Sequence, residues 1–240
     1  MARFSAIVSL QSILFDLDGT LIDSVPGIEQ SAQAAVDRVL PGVRLPGLRR
    51  FIGPPVRSVL RNALAEVAQA PAAGVLGEIE AEFRIHYDTL GWRQTKLFRG
   101  VRAVLNDLAG QNIRCFIATN KPSFSTMAIV HELGLAPLMV EVLCRDSRRP
   151  AFASKAAVIA CLMERHGISA EDAVFVGDTH DDADAALANG LDFIAARYGY
   201  GLSDLLPAGA PAIDCFDELP SALAELGAAE TGALQPVALA

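Results

Sequence analysis

The sequence predicts an α/β fold: a doubly wound, parallel, Rossmann-like sheet with an all-helical domain inserted after its first strand. Five short apolar runs without polar alternation are typical of strands that are buried on both faces of a parallel sheet. Helical patterns separate the last four runs, and this alternation is typical of doubly wound sheets. The long interval after the first run contains helical patterns and no strand-like run.

The predicted elements follow one another along the chain. Strands are expected at residues 12–15, 113–118, 139–144, 173–176 and 191–195. Helices are expected at residues 27–39, 56–68 and 75–90 in the long interval, and at residues 123–133, 155–165 and 181–188 between the later strands. The domains are expected to be a sheet-containing core of residues 1–22 and 97–240, a helical insertion of residues 23–96, and a last helix with a loose tail at residues 221–240.

The composition indicates a folded, acidic protein. With 52% hydrophobic and 20% charged residues, the 240-residue chain is too apolar for a disordered protein. A net charge of −8 without a basic stripe argues against a nucleic-acid partner. No apolar run is long enough to span a bilayer, so no membrane contact is expected.

The four cysteines are widely spaced and have no second cysteine or histidine at a metal-ligand spacing. This argues against a structural zinc site and against a disulfide scaffold. Reduced thiols in a cytoplasmic protein fit the pattern, and we expect a monomer or a homodimer.

Two carboxylates follow the first predicted strand. Asp16 and Asp18 stand two residues apart, so both can project into one crevice where the strand ends. Gly19 permits a sharp turn and lets backbone N–H groups approach an anion. The segment lacks the acid spacing of a calcium loop. A turn capped by two acids is the structural alternative.

Polar residues also follow two later strands. Thr119 and Asn120 come directly after the second strand, where a hydroxyl and backbone N–H groups suit a phosphate. Lys155 opens a predicted helix near the same sheet edge, where it can neutralise clustered carboxylates. Taken alone, Thr119 is more typical of a helix N-cap and Lys155 of a surface lysine.

Several aspartates crowd the turn after the fourth strand. Asp178, Asp181, Asp182 and Asp184 lie within seven residues, and a hard divalent cation bound by oxygen atoms would relieve their repulsion. An acidic first helical turn is the alternative. The dinucleotide, nucleotide P-loop and serine-nucleophile motifs are absent from the sequence.

The ordered set of these motifs resembles the haloacid dehalogenase superfamily. Its four motifs are similar to the segment from Asp16 to Leu21, to Thr119, to Lys155 and to the segment from Gly177 to Asp182. The resemblance covers roughly residues 12–220, and the insertion resembles that superfamily's four-helix cap. Among the capped enzymes, residues 51–55, 83–101 and 198–201 resemble phosphoglycolate phosphatases.

The resemblance implies a role for each motif residue. Asp16 would attack phosphorus and become an aspartyl phosphate, and Asp18 would act as general acid and then as base. Thr119 would hold phosphoryl oxygens, and Lys155 would neutralise Asp16 and the phosphate. The implied Mg²⁺ ligands are Asp16, the backbone carbonyl of Asp18 and Asp178, with Asp182 as a supporting partner.

The remaining candidates concern the substrate. Gly53 lies in a rigid Gly-Pro-Pro loop of the insertion, and Arg50 and Arg57 are candidate contacts for a second anion, with solvated surface arginines as the alternative. The candidate substrate-binding residues are Gly19, Thr20, Asn120, Gly53, Arg50 and Arg57.

The expected function is a Mg²⁺-dependent phosphatase that hydrolyses a small phosphorylated metabolite, with phosphoglycolate as the first-choice substrate. Asp18 argues against dehalogenation, because halide-removing relatives replace it. The alternatives are a sugar phosphomutase of the same capped family, a pyrophosphatase or 5′-nucleotidase, and a phosphate-binding regulatory module without turnover.

Overall fold

A six-stranded parallel sheet organises the protein, which we describe from a computed structural model at residues 10–67, 71–201 and 210–232. In chain order the strands are β1 (Ser12–Phe15), β2 (Ile22–Asp23), β3 (Lys96–Leu97), β4 (Arg114–Thr119), β5 (Glu141–Cys144), β6 (Ala173–Gly177), β7 (Asp192–Ala196) and β8 (Ala212–Ile213). The order across the sheet is β5-β4-β1-β6-β7-β8, with every neighbouring pair parallel. The predicted parallel sheet is therefore confirmed.

Helices cover both faces of this sheet. In chain order they are α1 (Val25–Val39), α2 (Val56–Val67), α3 (Ala73–Thr89), α4 (Val101–Gly110), α5 (Ser123–Glu132), α6 (Lys155–His166), α7 (His180–Ala188) and α8 (Leu219–Gly232). Ile13 and Phe15 pack in one core layer with α4, α5 and α8, whereas Leu14 packs in the other with α6 and α7. Because successive strand residues point to opposite faces, uninterrupted apolar runs are what a doubly covered sheet requires.

Three short or unpatterned elements correct the sequence-based expectations. β8 adds a sixth strand of two residues, and β2 pairs with β3 in an antiparallel ribbon inside the interval that was expected to contain no strand. Two residues are too few to produce an alternation pattern. α4 was not anticipated either; it follows Gly100, whose φ of 85° ends the preceding turn.

The chain between β2 and β3, residues 24–95, is the helical segment. It contains α1, α2 and α3 together with 3₁₀ turns at Arg49–Phe51 and Gly91–Gln94, rather than the four helices that the family resemblance implied. The segment has its own apolar cluster, in which Leu60, Ile79 and Phe83 are buried. β2 and β3 place its two ends side by side at the edge of the core.

Some expectations fall on residues outside the described ranges. These are the tail beyond Gly232, residues 1–9 and the last residue of the predicted helix at 56–68. The four cysteines are free thiols, and Cys115 and Cys144 are buried. Across residues 10–67, 71–201 and 210–232, no helix has the length and apolarity needed to cross a bilayer.

Candidate active site

The ends of three adjacent strands bring the predicted motifs together. β1 lies between β4 and β6, and the carboxyl ends of the three strands meet at one edge. Asp16 follows β1 directly, Thr119 ends β4, and Asp178 follows β6. Residues separated by more than one hundred positions along the chain thus become neighbours, at the edge where ligands bind in parallel α/β sheets.

A buried lysine links two of the aspartates. Lys155 Nζ donates to Asp16 Oδ1 at 2.8 Å and also pairs with Asp182 Oδ1. Lys155 is the first residue of α6, whose N-cap hydroxyl on Ser154 accepts from Ala157 N at 3.2 Å. The cap fixes the start of the helix, and so aims Lys155 at the sheet edge.

Asp182 is held by the start of α7. Its Oδ2 accepts from the Thr179 hydroxyl at 2.6 Å, from Thr179 N at 2.9 Å and from Asp178 N at 3.2 Å. Thr179 is the N-cap of α7, and the two residues form a reciprocal capping box. Both oxygens of Asp182 therefore face donors within the protein, and these contacts include the ammonium of Lys155.

Asp178 lies against Gly19, and any other residue at that position would collide with the Asp178 carboxylate. Its Oδ2 accepts from Tyr200 N at 2.7 Å, and its Oδ1 accepts from the Thr20 hydroxyl at 3.3 Å. A Cβ added to Gly19 would lie 2.1 Å from Asp178 Oδ2, and Gly19 has a φ of 91°. Both the space and the backbone conformation thus require glycine.

Burial and mutual repulsion alter the protonation of this cluster. The pKa of Asp16 is raised to about 7: burial raises it most, Lys155 opposes that effect, and the charge on Asp182 adds to it. Burial likewise raises the pKa of Asp178, and the charges of Asp182 and Asp16 add to that effect. Burial lowers the pKa of Lys155, but Asp16 and Asp182 outweigh it, so that the net pKa is raised and the ammonium is retained.

The donor set fits a hard divalent cation. Asp16, Asp178 and Asp182 are buried and each offers an oxygen within 4.8 Å of the others. Because three carboxylates share one ammonium, this buried cluster carries excess negative charge. Mg²⁺ would offset that charge, and it prefers oxygen atoms as ligands. These three carboxylates could therefore hold Mg²⁺, with Asp16 and Asp178 as the direct ligands that the family resemblance implies.

Asp18 has a second lysine as its partner. Lys121 Nζ donates to Asp18 Oδ1 at 3.0 Å and to Oδ2 at 3.3 Å, and the Ser24 hydroxyl donates to Oδ1 at 2.5 Å. Sequence reasoning missed Lys121, although it stands two residues after Thr119. Its signal was the rarity of lysine, since the chain has three lysines in 240 residues.

Thr119 and Asn120 shape the floor next to Asp16. Thr119 is buried, and its hydroxyl accepts from Lys121 N at 3.1 Å. Asn120 donates to Asp181 Oδ2 at 2.8 Å, while its own amide oxygen is buried with no hydrogen-bond partner among the described residues. Both residues line the open space above the sheet edge.

An open cleft separates this floor from the helical segment. The floor is lined by Asp16, Asp18, Thr119, Asn120, Lys121, Pro122 and Lys155, and the opposite wall by Ile28, residues 52–56, Val59, Phe83 and Arg84. That wall is largely apolar, and among the described residues Arg84 is the only cation that lines it. Arg84 is half-buried and forms no ion pair with a described residue, including Asp88 one turn further along α3.

The structure separates the predicted substrate contacts into two groups. Gly53 and Asn120 line the cleft, whereas Gly19 and Thr20 lie behind it against Asp178. Arg50 pairs with Glu66, and Arg57 pairs with Glu80 at 3.0 Å.

Neither arginine lines the cleft, so both expected contacts are corrected. Residues 49–51 form a 3₁₀ turn, and Arg57 belongs to a face of α2 directed at α3. Arg84, which the sequence did not single out, is placed where these two were expected.

Comparisons with known proteins agree with this geometry. The sequence pattern described as Haloacid dehalogenase-like hydrolase matches residues 13–196. Phosphoglycolate phosphatase of Xanthomonas campestris pv. campestris is 32% identical over 198 residues, covering 81% of this chain and 86% of that protein. Phosphoglycolate phosphatase of Rhodospirillum rubrum is 30% identical over 227 residues, covering 88% of each.

A mycobacterial relative carries a different name. Tyrosine-protein kinase PtkA of Mycobacterium tuberculosis is 32% identical over 202 residues, covering 82% of this chain, and the chain spans 66% of that relative's length. Among solved structures, a predicted phosphatase from Clostridium acetobutylicum superposes with a TM-score of 0.78 at 27% identity, covering 90% of this chain and 99% of that one.

The family match spans most of the chain, and the residues that carry it surround one cleft at the edge of the sheet. The chain therefore belongs to the haloacid dehalogenase-like hydrolase family.

Proposed function

We propose that the protein is a Mg²⁺-dependent phosphatase that hydrolyses a small phosphomonoester through an aspartyl phosphate, with phosphoglycolate as the leading substrate. The observation that carries the proposal is the buried Asp16 carboxylate, paired with Lys155 at 2.8 Å and facing a cleft. Relatives of 30% to 32% identity named phosphoglycolate phosphatase support the substrate.

Electrostatics explains why this nucleophile needs its neighbours. A carboxylate that approaches a phosphate meets like-charge repulsion of about 4 kcal/mol per unit pair at 4 Å and an effective dielectric of about 20. Lys155 offsets this repulsion from one side. When bound by Asp16 and Asp178, Mg²⁺ supplies further positive charge beside the phosphoryl oxygens, and phosphoryl transfer needs little beyond such positioning and neutralisation.

The two chemical steps use the same pair of carboxyl groups. In the first, an oxygen of Asp16 forms a bond to phosphorus while the ester P–O bond breaks, and Asp18 gives its proton to the departing oxygen. In the second, water attacks the phosphorus and gives a proton to Asp18. The Asp16–phosphorus bond then breaks, which releases phosphate and restores both residues.

The cleft wall favours a substrate with a second negative charge. Lys155 is occupied by Asp16 and Asp182, and Lys121 is occupied by Asp18. Arg84 is thus the cation of the cleft that remains for a carboxylate. We assign to the helical segment the role of a cap that selects this substrate, since it provides the wall opposite the phosphate site.

The test is release of inorganic phosphate by the purified protein, with and without Mg²⁺. The substrates are phosphoglycolate, pyrophosphate, nucleoside monophosphates and sugar phosphates. We expect release from phosphoglycolate that needs Mg²⁺, is abolished in Asp16→Asn, and is retained in Asp184→Asn, whose side chain is exposed on α7.

Other outcomes would redirect the proposal. Absence of phosphate release from every compound would contradict it. Isomer formation from sugar phosphates would favour a phosphomutase, and preference for pyrophosphate or a nucleoside monophosphate would replace the substrate. Because one relative is named a tyrosine-protein kinase, a further assay with ATP and a tyrosine-containing peptide tests whether the protein transfers a phosphoryl group to tyrosine. Binding of phosphate compounds without any turnover would favour a regulatory module.

A further inference from the structure

Lys121 forms a buried contact that joins the helical segment to the sheet edge. Its Nζ donates to the Tyr87 hydroxyl at 2.8 Å and to the two oxygens of Asp18 at 3.0 and 3.3 Å. The Lys121 side chain is 5% exposed. Tyr87 belongs to α3 in the helical segment, whereas Asp18 and Lys121 belong to loops of the sheet, so the contact crosses from one side of the cleft to the other.

The protons of Lys121 are used within the protein. An ammonium has three N–H donors, and three oxygens lie within hydrogen-bond distance of Lys121 Nζ. The ammonium also lies 4.7 Å from the centroid of the Tyr87 ring. No donor is left for a phosphate oxygen, which distinguishes Lys121 from a substrate ligand and indicates a positioning role.

Tyr87 is itself rigidly placed. It is 2% exposed and stacks on Phe83 with ring centroids 5.3 Å apart and an interplanar angle of 10°. Phe83 lines the cleft one turn before Tyr87 on the same helix. The position of the Tyr87 hydroxyl therefore depends on where α3 lies against the sheet.

We propose that Tyr87 is a positioning residue for proton transfer: it fixes Lys121, and Lys121 orients the Asp18 carboxyl group when α3 lies against the sheet. The inference rests on the proposed function, in which Asp18 protonates the departing oxygen. It adds that the helical segment acts on the acid–base group as well as on the substrate. A segment that lies away from the sheet would withdraw the Tyr87 hydroxyl, and Lys121 would then hold Asp18 without that anchor.

The test compares two leaving groups by pre-steady-state kinetics, with substrate in excess of enzyme. Phosphoglycolate leaves as an alkoxide that needs a proton, whereas p-nitrophenyl phosphate leaves as a stable phenolate that does not. Tyr87→Phe removes the hydroxyl and keeps the ring. We expect the first step with phosphoglycolate to slow about tenfold, a part of the 10²–10⁴ contribution of general acid catalysis because Asp18 itself remains, with the p-nitrophenolate burst unchanged.

Two further variants complete the design. Thr89→Val removes another hydroxyl from α3, one that bonds only the backbone carbonyls of Ile85 and His86, and is expected to behave as wild type with both substrates. Lys121→Met is expected to slow the phosphoglycolate step about 100-fold while sparing the burst. Thermal melting of each variant checks that it is folded.

The outcomes separate the two proposals. Equal slowing of both substrates in Tyr87→Phe and Lys121→Met, or no slowing of either, would overturn the positioning role and leave the phosphatase intact. A wild-type protein that turns over neither substrate would overturn the proposed function, and with it the inference that rests on it.

Discussion

At the scale of single residues, the site depends on close approaches that leave no room for change. Gly19 lies against Asp178, and Gly42 has nearly the same backbone conformation, with φ values of 91° and 88°. A Cβ on Gly42 would meet nothing within 4 Å, whereas one on Gly19 would lie 2.1 Å from a carboxylate oxygen. Substitutions at these two glycines therefore separate the effect of backbone strain from the effect of a steric collision.

Gly19→Ala should therefore lose activity and Mg²⁺ affinity, whereas Gly42→Ala should not. Both should lose about 1–3 kcal/mol of folding free energy from the strained φ. Steady-state kinetics across a Mg²⁺ titration, with urea unfolding for stability, would check this. If the two variants had equal apparent Mg²⁺ affinity, the collision with Asp178 would not matter.

Arg84 is the second residue whose replacement is informative. Arg84→Gln should raise KM for phosphoglycolate about 10- to 100-fold, since a charge-assisted hydrogen bond contributes roughly 1.5–3 kcal/mol. KM for ethyl phosphate, which lacks the carboxylate, should be unchanged. Arg57→Gln is the matched control, because Arg57 pairs with Glu80 outside the cleft. A parallel rise of KM for both esters would refute carboxylate recognition.

The sequence revealed some of these residues and not others for a physical reason. Asp16 and Asp178 each follow a buried strand, so the sheet itself determines that they meet. Arg84 lies on a helix whose orientation is set by packing against α1 and α2, which no short motif records. Arg50 and Arg57 looked equally suitable until that packing gave each a glutamate partner.

At the scale of elements, two helix starts position the charged side chains. Lys155 opens α6 and Asp182 lies in the first turn of α7, and each helix has a hydroxyl N-cap. Strands β1, β4 and β6 could be predicted because their apolar runs are continuous. The ribbon of β2 and β3 could not, because strands of two residues are too short to produce a recognisable sequence pattern.

The cap of α7 gives a prediction about stability. Thr179→Ala should lower the free energy of unfolding by about 1–2 kcal/mol, because it removes the hydroxyl that accepts from Asp182 N and donates to Asp182 Oδ2. Thr179→Ser retains the hydroxyl and should recover most of this loss. Urea denaturation followed by circular dichroism measures both. A serine variant as unstable as the alanine variant would show that the capping bond contributes little.

At the scale of the whole molecule, the buried charge cluster links ion binding to stability. Asp16, Asp178 and Asp182 share a single buried ammonium, and burial raises the pKa values of Asp16 and Asp178. An ion that binds the folded state alone stabilises it by about 2.7 kcal/mol at one hundred times its Kd.

Mg²⁺ should accordingly raise the melting temperature by about 5–10 °C for a chain of this size. Asp178→Asn should remove that shift and should itself make the metal-free protein more stable, because it deletes one of the repelling charges. Asp184→Asn, on the exposed side of α7, should keep the wild-type shift. Differential scanning calorimetry with Mg²⁺ and with EDTA measures all three. A shift retained in Asp178→Asn would place the ion elsewhere.

The antiparallel ribbon has a consequence for how such a chain diversifies. Ile22 pairs with Leu97 and Asp23 with Lys96, so the chain departs from the core and returns to it on adjacent strands. An insertion with neighbouring ends can lengthen, shorten or be exchanged during evolution without moving the ends of the sheet. New substrate preferences could then arise by recombination at this junction, while the residues that perform the chemistry are inherited unaltered.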